Sequence, residues 1–317
     1  MRPLFMKEKI LFLALFFIFN AFLMGKPLHA ARISSFSVSP TSTSFADRDP
    51  DSGEITSSPS LAVNFSITGL NSNQNWTLDI LANANLVSGS NTIPAANVRW
   101  TATGSGTPTP TFYNGTLALG SYVLAGRGPG RSSGNVNITS TFYFYLQNYW
   151  SYSTGNYSGT VTFRLTVPRT GGGTRIQTRT VTLSTSIAAR AKLQFGLLAM
   201  SFLDANPDSV PSNPANVNPL SVTSSARTGS ILTTTLTCLA SGDLISGTSS
   251  IAIGNMTWTA TGTGYVGGTM NRTIAQNAGS WTGSGQRIGT FSYFLANSWS
   301  YTVGSYSTTI NYTLTAP

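Results

Sequence analysis

The stretch Trp150-Ser-Tyr-Ser-Thr-Gly-Asn-Tyr-Ser-Gly-Thr-Val-Thr-Phe-Arg-Leu-Thr-Val-Pro168 returns as Trp299-Ser-Tyr-Thr-Val-Gly-Ser-Tyr-Ser-Thr-Thr-Ile-Asn-Tyr-Thr-Leu-Thr-Ala-Pro317, with ten of nineteen positions identical. Two properties follow. The chain is duplicated, because shared composition does not reproduce ten positions in register. Each copy ends in a strand, because Val161, Phe163, Leu165 and Val167 alternate with Thr162, Arg164 and Thr166, as Ile310, Tyr312, Leu314 and Ala316 alternate in the twin. A period of two turns one set of side chains toward a core and the other toward water. Both sets of apolar residues are therefore expected to be buried alike.

The duplication extends upstream. Trp100-Thr-Ala-Thr-Gly104 recurs unchanged as Trp258-Thr-Ala-Thr-Gly262, and Leu78-Asp-Ile-Leu-Ala82 pairs with Leu236-Thr-Cys-Leu-Ala240. Phe45-Ala-Asp-Arg-Asp-Pro-Asp51 pairs with Phe202-Leu-Asp-Ala-Asn-Pro-Asp208. A fixed order of repeated motifs decides architecture before any other signal. The expected organisation is a first repeat over 31–168, a linker over 169–190 and a second repeat over 191–317. Arg169-Thr-Gly-Gly-Gly-Thr174 reads as a turn or hinge, and Arg175–Ile187 alternates enough for an additional strand. Phe142, Phe144 and Leu146 alternate as Phe291, Tyr293 and Leu295 do. Gly155 and Gly304 then fall where a hairpin turn is expected. Short strands punctuated by Gly, Asn and Ser predict an all-β chain of two tandem β-sandwich domains, immunoglobulin-like or jelly-roll. The repeated tryptophans are expected to anchor the cores.

Composition agrees. Charged residues are only 9% of the 317, with 18 Lys and Arg against 9 Asp and Glu. Thr, Val, Tyr and Phe favour strands, and helical periodicity is missing after the first thirty residues. Residues 1–30 read as a cleaved signal peptide: Arg2, Lys7 and Lys9 precede the apolar run Ile10–Met24, and a cut after Ala30 is plausible. No later segment is apolar enough for a membrane helix. Arg164, Arg169, Arg175, Arg179, Arg190 and Lys192 place positive charge near the midpoint. Without any nucleic-acid motif they read as a solvated interdomain segment. One cysteine, Cys238, makes no internal disulfide, and its alignment with Ile80 marks a small buried apolar side chain.

The segments Gly155-Asn-Tyr-Ser-Gly-Thr-Val-Thr-Phe-Arg-Leu-Thr166 and Gly304-Ser-Tyr-Ser-Thr-Thr-Ile-Asn-Tyr-Thr-Leu-Thr315 resemble the closing strand of spore coat protein U-type and related fimbrial domains. The Trp-Thr-Ala-Thr segments and the Ser/Thr/Asn texture are similar to WxL-type cell-wall domains. Each resemblance covers about a dozen residues per copy. They imply immunoglobulin-like extracellular domains, and the fimbrial one implies assembly by strand exchange. The paired cysteines common in fimbrial domains are missing, and two domains share one chain.

The only histidine, His29, lies in the leader, so imidazole-based triads and zinc sites are excluded by inventory. The mature acidic residues are Asp47, Asp49, Asp51, Glu54, Asp79, Asp204, Asp208 and Asp243, with no spacing that favours a catalytic carboxylate pair. No enzyme activity and no cofactor are expected. Asp47-x-Asp49-x-Asp51 and Asp204-x-Asn206-x-Asp208 put oxygen ligands at alternate positions, the pattern a hard cation such as Ca²⁺ uses. The competing reading is an Asx turn shaped by Pro50 and Pro207.

The functional expectation is a non-catalytic exported structural or adhesive protein of the bacterial envelope, at the cell surface, extracellular or periplasmic. Its partners would be another copy or another surface protein, reached through strand edges, with no nucleic acid. The alternatives are a carbohydrate-binding module using Tyr113, Tyr122, Tyr149, Tyr265 and Trp281 as stacking rings, and an outer-membrane β-barrel.

Overall fold

The computed structural model describes residues 30–169 and 172–317. The expected leader lies outside them, apart from Ala30. The described chain is strand throughout, with three one-turn 3₁₀ segments, and no helix in it is long and apolar enough to cross a membrane.

In the first sandwich the principal strands are β1 (Arg32–Ser39), β2 (Ser42–Phe45), β3 (Ile55–Ser58), β4 (Leu61–Thr68), β5 (Asn75–Ala82), β6 (Val98–Thr107), β7 (Val123–Pro129), β8 (Val136–Leu146), β9 (Gly155–Pro168) and β10 (Thr174–Ile187). One face runs β1-β4-β8-β6, all antiparallel, with Phe36 opposite Phe65 and Phe144 opposite Trp100. The other runs β2-β10-β9-β5-β7, with β2 parallel to β10 and the rest antiparallel. Strand β3 joins the faces, pairing with both β8 and β2. Inward residues meet in the core: Phe142 and Phe144 from one face pack edge-on against Phe163 from the other, at centroid distances of 5.2 and 6.5 Å. These are open faces stacked on a filled core, not a lumen, which corrects the barrel alternative.

The second sandwich comprises β11 (Arg190–Phe195), β12 (Leu220–Arg227), β13 (Thr233–Ala240), β14 (Met256–Thr261), β15 (Gln276–Thr282), β16 (Gly285–Ala296) and β17 (Ile310–Thr315). One face runs β11-β12-β16-β14 and the other β15-β13-β17. Repeat-related positions keep their pairing: Leu193 lies opposite Ser224 as Phe36 lies opposite Phe65. Cys238 is buried, and burial pushes its thiol up to about 11, so it is a core side chain and not a nucleophile.

The additional strand expected at Arg175–Ile187 is present, and it extends the first sandwich: β10 pairs with β9 over its whole length, from Gly155 opposite Ile187 to Pro168 opposite Thr174. The two strands form a hairpin, with Arg169 N–H donating to Gly173 C=O at its end, and only Ala188 and Ala189 separate β10 from β11. Gly155 and Gly304 do not make hairpins, because β8 and β9 lie in opposite faces. The connection crosses the end of the sandwich, and a Cβ on Gly155 or Gly304 would come within 2.4 Å of Ser88 or Ser246. Behind each crossing sits a tyrosine corner: Tyr157 and Tyr306 hydroxyls donate to the carbonyls of Ser153 and Thr302, both at 2.8 Å. Finally, Trp100 and Trp258 are core anchors, but Trp150 is only half-buried and Trp299 is 70% exposed.

Candidate functional site

In the first sandwich the apolar row of β9 is sealed. Val161, Phe163, Leu165 and Val167 are buried because β10 lies along the outer edge of β9 and sends in Val181, Leu183 and Ile187, each at most 2% exposed. Strand β2 closes beside β10, burying Thr43 and Phe45.

The second sandwich has the same row without the seal. Strand β17 pairs with β13 on one side, and no strand among the described residues pairs on its other side. Ile310, Tyr312 and Leu314 are consequently only half-buried, which corrects the expectation that the two rows are buried alike. Leu193 and Phe195 of β11, across the opening, are half-buried too, although their counterparts Phe36 and Val38 are covered. Met200 and Phe202 stand where Thr43 and Phe45 stand, but Phe202 makes only an isolated bridge to Ala215, and among the described residues no strand like β10 runs beside them. Leu197, Leu198 and Leu203 project beside them at 50%, 94% and 68% exposure.

The floor of this opening is aromatic. Tyr312 stacks on Phe291 at 6.0 Å and touches Phe195 at 4.8 Å. Its hydroxyl shares a 2.5 Å hydrogen bond with that of Tyr293, and burial pushes both phenols above their usual range. The result is a half-filled slot between β11 and β17, with an unpaired strand edge on one wall. Chemically it offers main-chain donors and acceptors at strand spacing and apolar pockets at every second position, which is what an added β-strand needs.

The acidic loops lie elsewhere. Asp47, Asp49 and Asp51 face the junction between the sandwiches. Asp47 accepts from Arg190 and from Arg227, at 3.1 and 2.8 Å, and from the Ala188 N–H. Asp51 accepts from Lys192 and from the Trp150 indole, and both bonds hold its carboxyl below the usual range. Asp49 Oδ1 caps its own turn, accepting from the Asp51 N–H at 2.9 Å. The oxygens expected to hold calcium thus serve cations and an amide of the chain itself. Among the described residues no three His, Cys, Asp or Glu side chains converge on a common point. In the second loop Asn206 Oδ1 accepts from the Asp208 N–H, and Asp208 accepts from the Trp299 indole at 3.0 Å. Asp204 is exposed and has no cationic partner among the described residues.

Arg227, at the end of β12, is the residue that the sequence did not single out. Its side chain is fully buried in the junction. Its Nε and Nη2 donate to the Tyr149 carbonyl, Nη2 also donates to Asn148 Oδ1, and Nη1 reaches Asp47. Burial pulls this guanidinium below its usual range and Asp47 works against that. The midpoint cations divide: Arg190 and Lys192 belong to this junction and Arg164 pairs with Asp79 and covers Tyr122, whereas Arg169, Arg175 and Arg179 are exposed, Arg179 lying over Phe36.

The proposed sugar-stacking rings are scattered. Tyr265 and Trp281 are core, Tyr122 is capped by Arg164, and Tyr149 lies at the junction. Among the described residues five carboxylates are matched to cations, adding Glu54 with Arg99 and Asp243 with Arg272.

No family model and no curated protein matches the sequence. Among solved structures, the chain is similar to the CooA pilin subunit of enterotoxigenic Escherichia coli, at 14% identity and a TM-score of 0.29 over 47% of this chain and 91% of that one. It is also similar to the CsuC-CsuE chaperone and tip-adhesion subunit complex of Acinetobacter baumannii, at 13% and 0.32 over 88% and 99%. A third is the CupB6 tip adhesin of Pseudomonas aeruginosa, at 10% and 0.28 over 90% of each chain.

Proposed function

We propose that this protein is a non-catalytic, exported surface subunit that assembles by taking a β-strand from a partner polypeptide into the slot between β11 and β17. One observation carries the reading: the first sandwich contains the strand that closes its apolar row, and the second presents the same row half-buried. The first sandwich serves as the template for what the second would receive, an extended segment with alternating apolar side chains such as Val181 and Leu183 of β10. An exposed apolar edge of this kind invites indiscriminate pairing and is kept only where a partner covers it. The first sandwich, closed on itself, is the part free to act as the outward-facing domain.

The test uses a synthetic peptide copying Thr174–Ile187. It is expected to bind the chain with one-to-one stoichiometry and to slow amide exchange along β17 without affecting β9. A control peptide with Val181, Leu183 and Ile187 replaced by Asp is expected not to bind. Equal binding of both peptides, or of neither, refutes the proposal.

A further inference from the structure

The two crossing loops are built alike down to single hydrogen bonds. Asp49 and Asn206 both cap their turns through Oδ1, and Ser52 and Ser209 hydroxyls donate to the carbonyls of Asp49 and Asn206. Trp150 and Trp299 indoles donate to Asp51 and Asp208. Asn148 Nδ2 donates to the carbonyls of Arg48 and Asp49, as Asn297 Nδ2 donates to those of Ala205 and Val210. Tyr152 and Tyr301 hydroxyls accept from Asn97 and Asn255.

In the first sandwich this framework leaves three acceptors pointing one way, the Asp47 carboxylate, Asn148 Oδ1 and the Tyr149 carbonyl, and the Arg227 guanidinium engages all three. The repeat-related acceptors in the second sandwich are the Asp204 carboxylate, Asn297 Oδ1 and the Ser298 carbonyl. Asn297 shares one of the two orienting amide bonds, that to Ala205 where Asn148 bonds Arg48, and its second runs to Val210 of the same loop, which leaves Oδ1 as the free acceptor of the amide. No cation of the chain pairs with Asp204 among the described residues, and the rim carries the exposed Trp299 ring.

We infer that Asp204, Asn297 and Ser298 form an arginine socket at the far end of the second sandwich, which docks a guanidinium presented by a partner protein. The ligand class comes from the internal template: the repeat-related set of acceptors, on a loop built by matching turn and indole bonds, already binds a guanidinium once in this molecule. A planar fork of donors matches a carboxylate with two carbonyls in a way that an ammonium does not. A second copy docked as the two sandwiches are docked here does not supply the plug. The strand position of Arg227, opposite Arg190, is occupied in the first sandwich by Thr68, opposite Arg32. The partner proposed is therefore a different chain that presents an arginine where the first sandwich has Thr68. This surface is separate from the strand-accepting slot, and the inference stands without it.

The test follows the indole N–H of Trp299 and the side-chain amide of Asn297 by NMR in the ¹⁵N-labelled chain during titration with N-acetyl-argininamide. Two or three charge-assisted hydrogen bonds correspond to a dissociation constant on the order of 1–10 mM. Saturable shifts at Trp299 and Asn297 are expected, with Trp100 and Trp258 unmoved. The Asp204→Asn variant is expected to weaken binding at least about fivefold. N-acetyl-citrullinamide, isosteric and uncharged, should give no saturable shift. Equal responses to N-acetyl-lysinamide would reduce the effect to general charge attraction and overturn the inference, as would an unchanged titration in Asp204→Asn or no shift at Trp299.

Discussion

Replacing Arg227 with Met removes the guanidinium while keeping most of the buried stem. It strips donors from Asn148 Oδ1 and the Tyr149 carbonyl, and removes the Asp47 contact at 2.8 Å. Breaking a buried ion pair by deleting one partner costs about 3–5 kcal/mol, and an unsatisfied buried acceptor about 1–3 kcal/mol. These overlap, because all three acceptors share one donor group. Asp47 also keeps Arg190 and the Ala188 N–H, and Met retains the apolar packing. The expected net loss is about 3 kcal/mol, or roughly 10 °C in the unfolding midpoint of a domain of this size. The loss should fall on the coupling between the sandwiches, so calorimetry is expected to resolve two transitions that lie closer together in the parent. Arg227→Lys keeps the charge but not the fork, and should recover less than half. An Arg227→Met variant that melts within about 2 °C of the parent, with unchanged transitions, refutes the assignment of Arg227 as the pin of the junction.

Two further outcomes follow. Trp76 lies opposite Gly128 in the first sandwich, whereas Thr234 lies opposite Trp281 in the second, so the indole has changed strands within one cross-strand pair. A Cβ on Gly128 would meet Trp76 at 2.8 Å, so each pair has room for one indole. Trp281→Gly is expected to cost about 3–5 kcal/mol and Thr234→Trp about 1–3 kcal/mol, with the double variant well below their sum; additive losses in a denaturant double-mutant cycle contradict this. Acid stability is the second outcome. Lys192 holds the Asp51 carboxyl below its usual 3.8, and Arg99 holds the Glu54 carboxyl below its usual 4.5. Depressed carboxyls contribute stability that is present above their unfolded values and lost as pH falls through the folded ones. The melting temperature should be flat from pH 7 to about 5 and fall below about 4.5. Because both pairs are partly exposed the drop is small, and Asp51→Asn with Glu54→Gln should lessen it. A midpoint that declines already at pH 6, or a double variant with an unaltered profile, speaks against it.

Strand alternation and exact repeats made the all-β sandwich class readable from Val161–Val167, Phe142–Leu146 and their twins, because a period of two is a local property of the chain. The open edge was not readable. Ile310, Tyr312 and Leu314 have the pattern of a buried row, and whether such a row is covered depends on a neighbour in space. A signal was present in Arg175–Ile187, an alternating stretch that stands outside the duplicated motifs and reads as an additional strand, but which apolar row it closes is set by its neighbour in space. Asp47, Asp49 and Asp51 illustrate a second limit. Oxygens at alternate positions fit a cation whichever cation it is, and only the fold shows that Arg190, Lys192 and Arg227 arrive there. Arg227 itself lies in an unremarkable Ser-Ala-Arg-Thr stretch and has no counterpart in the first repeat, so no pattern marked it. The tryptophans divided for a related reason: Trp100 and Trp258 sit within strands and are buried, while Trp150 and Trp299 sit on crossing loops, where exposure is set by what docks on them.

The central claim, that the second sandwich is completed by an added strand, is tested most directly by supplying that strand. Residues 174–187 would be appended after Pro317 through a flexible Gly-Ser linker and the unfolding of the second sandwich followed by denaturant titration. Covering the half-exposed side chains of β11 and β17, at ~25 cal/mol per Å² of apolar surface, amounts to a gain on the order of 5 kcal/mol before the ordering of the added strand is deducted. The account predicts a clear rise in the midpoint of the second sandwich, no change in the first, and loss of binding to the free Thr174–Ile187 peptide. An unchanged midpoint together with undiminished peptide binding would contradict it.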